Sequence, residues 1–483
     1  MSASPGHPAG HRPSRLRRGF AQARAFLSQT DERAVARRSS ALAFGIRLSN
    51  AALAYIAQLV LARLMGSYEY GIFAYIWAWF LVFASLSTLG FSDSPVRYIP
   101  QMREHGEMNH LRGFLRAGPL IVLAASIGSA ALIEIGLLVG HPWIDGVYFA
   151  PMTIMALALP FGCLQGFFEG VGRSYFWTVP ALFPTYILRH LLLMLGMIAV
   201  VWTGFAPTSV NALFCLLGTL VISSVYQTFA ITGRVRRTVP VGPREFRVRS
   251  WIGGSIPFSV MYGASQLFTF SDVIVLSFFV SPAEIAVYFA ATRIMQVTQL
   301  IPYAATIGTA HVFSALHARG DREGLQRIVR EVSFFTFALA FVVTGILALG
   351  GHWLLAMFGR EFTPGYPALA ILALGMIARV AAGPAEDLLN MTGHGRFSAW
   401  TAVGAVVLNL ALNFALVIPF GIEGSALATS LAIAIRAVWL TFAVRRLVGV
   451  ETSIFSSRPS LSALRRRFAK PSGDGFAEER PAD

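Results

Sequence analysis

The sequence predicts an all-α polytopic membrane protein: about twelve transmembrane helices in two six-helix lobes, related by pseudo-two-fold symmetry around a central cavity. Three observations predict it. Only 13% of the 483 residues are charged while 55% are hydrophobic, against roughly 25% charged in soluble domains. The apolar runs are about 20–30 residues long and unbroken, which suits helices rather than the short alternating segments of a barrel. A short motif also recurs at a fixed offset, which implies two halves.

Twelve spans are expected, at 39–64, 70–90, 115–140, 147–169, 174–202, 208–232, 252–280, 284–311, 331–350, 367–390, 398–418 and 422–444. Their number is fixed by charge. With the N-terminus inside, 32 of the 39 Lys and Arg fall on inner segments, one (Arg360) falls outside and six lie within spans. That is a strong positive-inside signal, and one span more or fewer would invert the later loops and destroy it. The outer connections instead carry Glu69, Asp145, Glu284, Glu361 and Glu423. Both termini are therefore expected in the cytoplasm of a multi-pass inner-membrane protein. The first 40 residues, with eight Arg, are too long and polar for the leading region of a cleaved signal peptide. The segment Ser14–Arg38 could lie on an anionic leaflet or simply obey the positive-inside rule.

The repeat lies in the inner loops. Gly106, Glu107, Leu111 and Arg116 match Gly320, Asp321, Leu325 and Arg330 at offset 214, and Gly172, Arg173 and Trp177 match Gly395, Arg396 and Trp400 at offset 223. The expected organisation is a cytoplasmic basic tail (1–38), an N-terminal six-helix lobe (39–232), a basic linker (233–250), a C-terminal six-helix lobe (251–447) and a cytoplasmic tail (448–483). Six is even, so the halves share one topology.

Charges inside the membrane are costly and mark function. The candidate cavity cations are Arg47, Arg63, Arg189, Arg293, Arg379 and Arg436; Arg47 and Arg63 lie near span ends, where snorkelling is the competing explanation. Asp272, with no cation nearby in FTFSDVIVLSFF, is a candidate ion-coupling group or the partner of a deep Arg. Glu169, Glu386 and Asp387 are expected at the membrane interface near inner ends. A cavity rich in Arg favours an anionic ligand, because the guanidinium fork fits phosphate oxygens; an exporter of cationic drugs would need carboxylates facing the substrate. Pro119, Pro160, Pro180, Pro184, Pro257, Pro302 and Pro384 lie in spans and predict kinks. Cys163 and Cys215 read as packing residues. The sequence shows no Walker A loop, no metal-ligand spacing, no cofactor motif and no outer loop large enough for acid–base chemistry, so an enzyme is not expected. The basic charge sits in short loops between spans, which excludes nucleic acid as a partner.

Four stretches carry a family resemblance. LARLMGSYEYGIFAYIWAW (Leu61 to Trp79), LGFSDSPVRYIPQ (Leu89 to Gln101) and LLAMFGREFTPGYPALAILALG (Leu354 to Gly375) resemble conserved stretches of polysaccharide exporters and oligosaccharide flippases. The segment Leu389 to Ala432 is similar to a further one at Gly395, Arg396, Asn409, Asn413, Pro419, Gly421, Gly424 and Ala426. The resemblance runs over roughly 40–447. It implies the Wzx-like polysaccharide transporter family of the multidrug/oligosaccharidyl-lipid/polysaccharide exporter superfamily. It further implies a flippase for polyprenyl-diphosphate-linked oligosaccharide, working in the bilayer, with a glycan polymerase and chain-length machinery as candidate partners. A cation-coupled multidrug-type exporter is the alternative. The related lipid II flippase branch has more spans than are expected here.

Overall fold

The structure is a computed structural model that describes residues 32–142 and 145–454. Most of the tail expected over 1–38, including most of Ser14–Arg38, and most of 448–483 lie outside the described residues. Among the described residues all regular structure is helical, and nine helices are long and apolar enough to cross a membrane. Two of these nine, Leu42–Ser87 and Gly395–Leu447, each contain two spans divided at a single glycine, Gly66 (φ 73°) and Gly421 (φ 55°). The eighth span is Pro282–Gln296 and Leu300–Ala318 around a 3₁₀ turn, Val297–Gln299. The total is the twelve expected.

Each glycine is a reversal of the chain. Along a straight helix, residues twelve apart stand about 18 Å from one another. Yet the Tyr70 hydroxyl donates to Gln58 Oε1 at 2.8 Å and the Ser425 hydroxyl donates to Asn413 Oδ1 at 2.6 Å. The sequence predicts loops at these points. The structure needs one residue, because only glycine enters that backbone region without strain.

By packing, the chain forms two compact units. One comprises the described residues up to Ala57 with Phe83–Phe205 and Asn211–Val260, and the other Gln58–Val82, Ala206–Val210 and Met261 onward. The first unit has a core of Phe91, Phe114, Phe167 and Trp251. Phe91 and Phe114 stack at 5.8 Å, and Phe114 meets Trp251 edge-on at 5.4 Å. A Cβ on Gly118 would lie 2.5 Å from the Phe167 ring, so the third and fourth spans touch there through glycine.

The second unit takes in Gln58–Val82 through specific contacts. Tyr70 lies edge-on to Phe289 and Phe362, each at 6.0 Å. A Cβ on Gly71 would stand 1.7 Å from the Pro282 carbonyl oxygen, so helix and helix start approach as closely as backbones allow. Ser281 caps Pro282–Gln296 with a complete capping box, its hydroxyl accepting from Glu284 N and the Glu284 carboxylate accepting from Ser281 N.

The first repeat is reproduced in its backbone hydrogen bonds. His105–Gly106–Glu107 and Arg319–Gly320–Asp321 turn at Gly106 (φ 70°) and Gly320 (φ 69°). Glu107 N donates to Met102 O at 2.8 Å, and Asp321 N donates to Leu316 O at 3.1 Å. Arg112 and Gln326, also 214 apart, each hold the chain that follows the last span of their half. Arg112 Nε donates to Pro240 O at 2.7 Å, and Gln326 Nε2 donates to Glu451 O at 2.8 Å.

The second repeat fails structurally. Gly172 and Arg173 close the helix Phe149–Ser174, whereas Gly395 and Arg396 open Gly395–Leu447. The matching backbone is six residues earlier: Trp177 N donates to Gly172 O (2.8 Å) as His394 N donates to Leu389 O (2.9 Å). Similarity of short basic loops, not descent of those positions, explains the match.

Candidate functional site

A cavity of about 640 Å³ lies within the second unit, walled by the seventh, eighth, ninth, tenth and twelfth spans. Two chain breaks shape it. The 3₁₀ turn Val297–Gln299 interrupts the eighth span and leaves Gln296 and Gln299 on the cavity wall. The tenth span, Tyr366–Ala381, stops before Gly383 (φ 71°) and Pro384, and a short helix, Ala385–Met391, restarts. A Cβ on Gly383 would meet Thr452 O at 2.3 Å, so the break depends on glycine. Broken spans that present polar groups at membrane depth are a known way to build a transport site.

Five acidic or basic side chains line this cavity: Asp272, Arg379, Glu386, Asp387 and Arg436. Arg436 Nη2 lies 2.7 Å from Glu386 Oε1. Thr306 donates its hydroxyl to Asp387 Oδ2. Asp272, only 3% exposed, accepts from the Tyr288 hydroxyl at 2.6 Å and from Val273 N at 2.8 Å. Arg379 is accessible from the cavity and stands in the electrostatic field of Glu386, Asp387 and Arg436. No hydrogen bond or ion pair to its guanidinium occurs among the described residues. In the second unit the cavity is thus mixed in charge, with three carboxylates to two guanidiniums, rather than purely cationic. Glu386 and Asp387, expected at the interface, stand on the cavity wall because the break at Gly383 turns their short helix toward it.

Of the four candidate Arg in the second unit, two meet at this cavity. Arg379 and Arg436 share the cavity. Arg293 is off its wall. Its Cζ lies 4.0 Å from the Phe289 ring centre and 5.3 Å from that of Phe270, while Nη1 donates to Gln296 Oε1 at 2.7 Å. Arg63 donates to the carbonyls of Met357 (2.6 Å) and Ala356 (2.8 Å), at the end of the helix Gly351–Phe358. A cation there meets the negative end of the helix dipole. Arg47 and Arg189 lie in the first unit, where Arg47 acts on Glu169 and Arg189 on His190. Asp272 forms no ion pair with a deep Arg among the described residues; a tyrosine and a backbone N–H hold it instead.

Sequence reasoning missed the neighbours of Asp272. Asn409 Nδ2 donates to Ser271 Oγ at 3.0 Å, Asn413 Nδ2 donates to Asn409 Oδ1 at 2.9 Å, and Ser425 Oγ donates to Asn413 Oδ1 at 2.6 Å. All four side chains are fully buried and tie the seventh, eleventh and twelfth spans together. Two Asn four apart on a helix of otherwise apolar residues were the signal. In the first unit, Arg173 joins Asp93 (2.7 Å) and reaches Glu169 (3.9 Å), whose carboxylate also accepts from the Tyr186 hydroxyl at 3.3 Å.

Comparison with known proteins agrees with this fold. The family described as "Polysaccharide biosynthesis protein" matches residues 36–313, and MatE matches 257–415. Over 177 residues the chain is 28% identical to the "Probable low-salt glycan biosynthesis flippase Agl15" of Haloferax volcanii, covering 35% of this chain and 36% of that relative; this match thus spans about a third of the relative's length. It is 22% identical over 429 residues to the "Succinoglycan biosynthesis transport protein ExoT" of Rhizobium meliloti, covering 85% and 81%. The fold is that of the solved "Lipid II flippase MurJ, inward closed conformation", with TM-score 0.64 at 17% identity over 84% of this chain and 87% of that one. These are transporters and flippases, not enzymes. With a family match over more than half its length, a twelve-span helical fold and these relatives, the chain belongs to the polysaccharide transporter, or oligosaccharide flippase, family of the multidrug/oligosaccharidyl-lipid/polysaccharide exporter superfamily.

Proposed function

We propose that this protein flips a polyprenyl-diphosphate-linked oligosaccharide, a repeat unit of O-antigen, exopolysaccharide or capsule, across the cell inner membrane by alternating access. The observation that carries the reading is Arg379, a guanidinium open to the cavity with no protein hydrogen bond among the described residues. A buried-side cation left unpaired costs several kcal/mol unless water or a ligand serves it. A diphosphate supplies two or more oxygens in the geometry the guanidinium fork fits. The cavity volume of about 640 Å³ is in the range of ligand sites and suits the diphosphate head with adjoining sugar. Arg436 supplies a second cation once Glu386 releases it. Arg47 and Arg189 are kept as further contacts along the path. Arg63 and Arg293, already engaged by protein groups, serve structure.

Asp272 is the ion-coupling group in this scheme, since it faces the cavity and is held by a hydroxyl rather than a cation. The lobes 39–232 and 251–447, joined by the linker 233–250, are the moving halves, with Gln58–Val82 packed into the second unit and carried with it. The distribution of cations supports cytoplasmic termini. The product would pass to a glycan polymerase and chain-length machinery. The multidrug-exporter reading is not adopted: Asp272, Glu386 and Asp387 each have a protein partner, whereas the Arg379 guanidinium has none among the described residues.

The test is complementation of a host lacking this chain. Arg379→Ala should abolish surface glycan while the protein remains folded in the membrane, and Arg379→Lys should restore part of it. Normal surface glycan with Arg379→Ala would overturn the diphosphate site.

A further inference from the structure

The first unit carries a second cationic feature, at the end of its spans where the basic loops lie. The turn after the fourth span contains Tyr175, Phe176 and Trp177. The rings of Tyr175 and Trp177 stack, 4.5 Å apart with 13° between their planes. Arg103, from the helix Ser94–Glu104, lies against Tyr175 with Cζ 5.2 Å from the ring centre. Arg234, from Ser209–Thr238, lies against Trp177 at 5.9 Å. Two guanidiniums therefore flank an aromatic pair, and both are exposed. Neither forms an ion pair or a side-chain hydrogen bond among the described residues. A guanidinium stacked by its face keeps its N–H donors at the edge, already oriented and open to a ligand.

Phe176 completes the feature. It sits at φ 58°, where an ordinary side chain is strained. The bonds from Trp177 N to Gly172 O (2.8 Å) and Phe176 N to Arg173 O (3.1 Å) make this a helix-ending turn of the kind that takes glycine. The equivalent turn in the second half does take glycine, Gly393 (φ 87°). The strain at Phe176 leaves a ring that is 56% exposed in the turn between Tyr175 and Trp177, with Val179 exposed three residues on. Strain retained at an exposed apolar residue points to use. An exposed apolar residue in the same turn as an aromatic stack that carries two open guanidiniums matches a molecule with a phosphate head and an acyl body.

We infer that Arg103 and Arg234, held by the Tyr175–Trp177 stack, bind the phosphate of an anionic glycerophospholipid at the inner leaflet, with Phe176 seated among its upper acyl carbons. The site is separate from the Arg379 cavity and goes beyond the transport reading, so either can fail alone.

The test uses the full chain in nanodiscs of phosphatidylcholine with one-fifth phosphatidylglycerol, with native mass spectrometry counting retained lipids. The wild type should retain phosphatidylglycerol preferentially. In Arg103→Gln/Arg234→Gln, where a planar amide can still stack, that preference should fall roughly tenfold, with an unchanged melting temperature. Arg379→Ala should leave it intact. Phe176→Gly, which relieves the backbone, should also lower retention while melting no lower than wild type, and it decides the matter if the double variant does not fold. Retained preference in a folded double variant, or in Phe176→Gly in its stead, overturns the inference. So does a wild type that holds added undecaprenyl diphosphate at this site but does not distinguish phosphatidylglycerol from phosphatidylcholine.

Discussion

Replacing Asn409 with Ala should destabilise the second unit by about 2–3 kcal/mol. The structure sets the figure. The change removes the bond to Ser271 Oγ (3.0 Å), the bond accepted from Asn413 Nδ2 (2.9 Å) and a longer one accepted from the Thr429 hydroxyl (3.4 Å). Interhelical bonds of this kind in membranes average about 0.6 kcal/mol, with a maximum near 1.7. Stranding a buried partner adds about 1 kcal/mol or more. Part of the loss is cushioned, since Asn413 Nδ2 also donates to the Asn409 carbonyl at 2.9 Å and Ser271 Oγ donates to Phe268 O at 3.3 Å. Asn413→Ala strands Ser425 instead. Because the two Asn share a bond, the double variant should cost about 1 kcal/mol less than the sum of the singles. Unfolding of the purified chain, followed by steric trapping in bicelles, measures all three. An Asn409→Ala effect below about 0.5 kcal/mol, or strict additivity, would refute the claim that this network ties three spans together.

Other expectations follow from the same geometry. Gly71→Ala should cost about 3 kcal/mol or prevent folding, since its methyl group would overlap Pro282 O. Gly421→Ala, where a Cβ meets open space, should cost only the backbone strain of about 1–2 kcal/mol; thermal melting in detergent ranks the two. Gln326→Ala should raise hydrogen exchange at the Glu451 amide roughly tenfold, because that amide donates to the Gln326 side chain at 2.8 Å. Arg63→Ala, in an exposed setting, should lower stability by at most about 1 kcal/mol, and a larger loss would give Arg63 a role beyond closing the helix Gly351–Phe358.

The number of spans was legible because Lys and Arg cluster on alternate connections, and a parity argument is insensitive to where each helix ends. The connections were not. Glu69 and Glu423 stood beside the expected connections, but nothing local showed that Gly66 and Gly421 alone would make them. The Arg-rich spans were readable one at a time, since each cation in hydrocarbon demands an explanation. Which of them share a cavity was not, because that depends on helix rotation and on breaks such as Gly383. The same break moved Glu386 and Asp387 from an expected interface to the cavity wall. The repeat at offset 214 survived because a positive-φ glycine fixes its turn. The one at 223 rested on residue identity without a backbone reason.

The one-residue reversals also restrict how the helices can move. With no slack between them, the first and second spans, and likewise the eleventh and twelfth, must travel as stiff hairpins that can tilt but not slide past each other. Compliance is then left to the places where the helical ladder is already interrupted: the 3₁₀ turn at Val297–Gln299 and the gap at Gly383–Pro384. Both border the charged cavity, so flexing there would reshape the wall that carries Arg379 before any other part of the second unit.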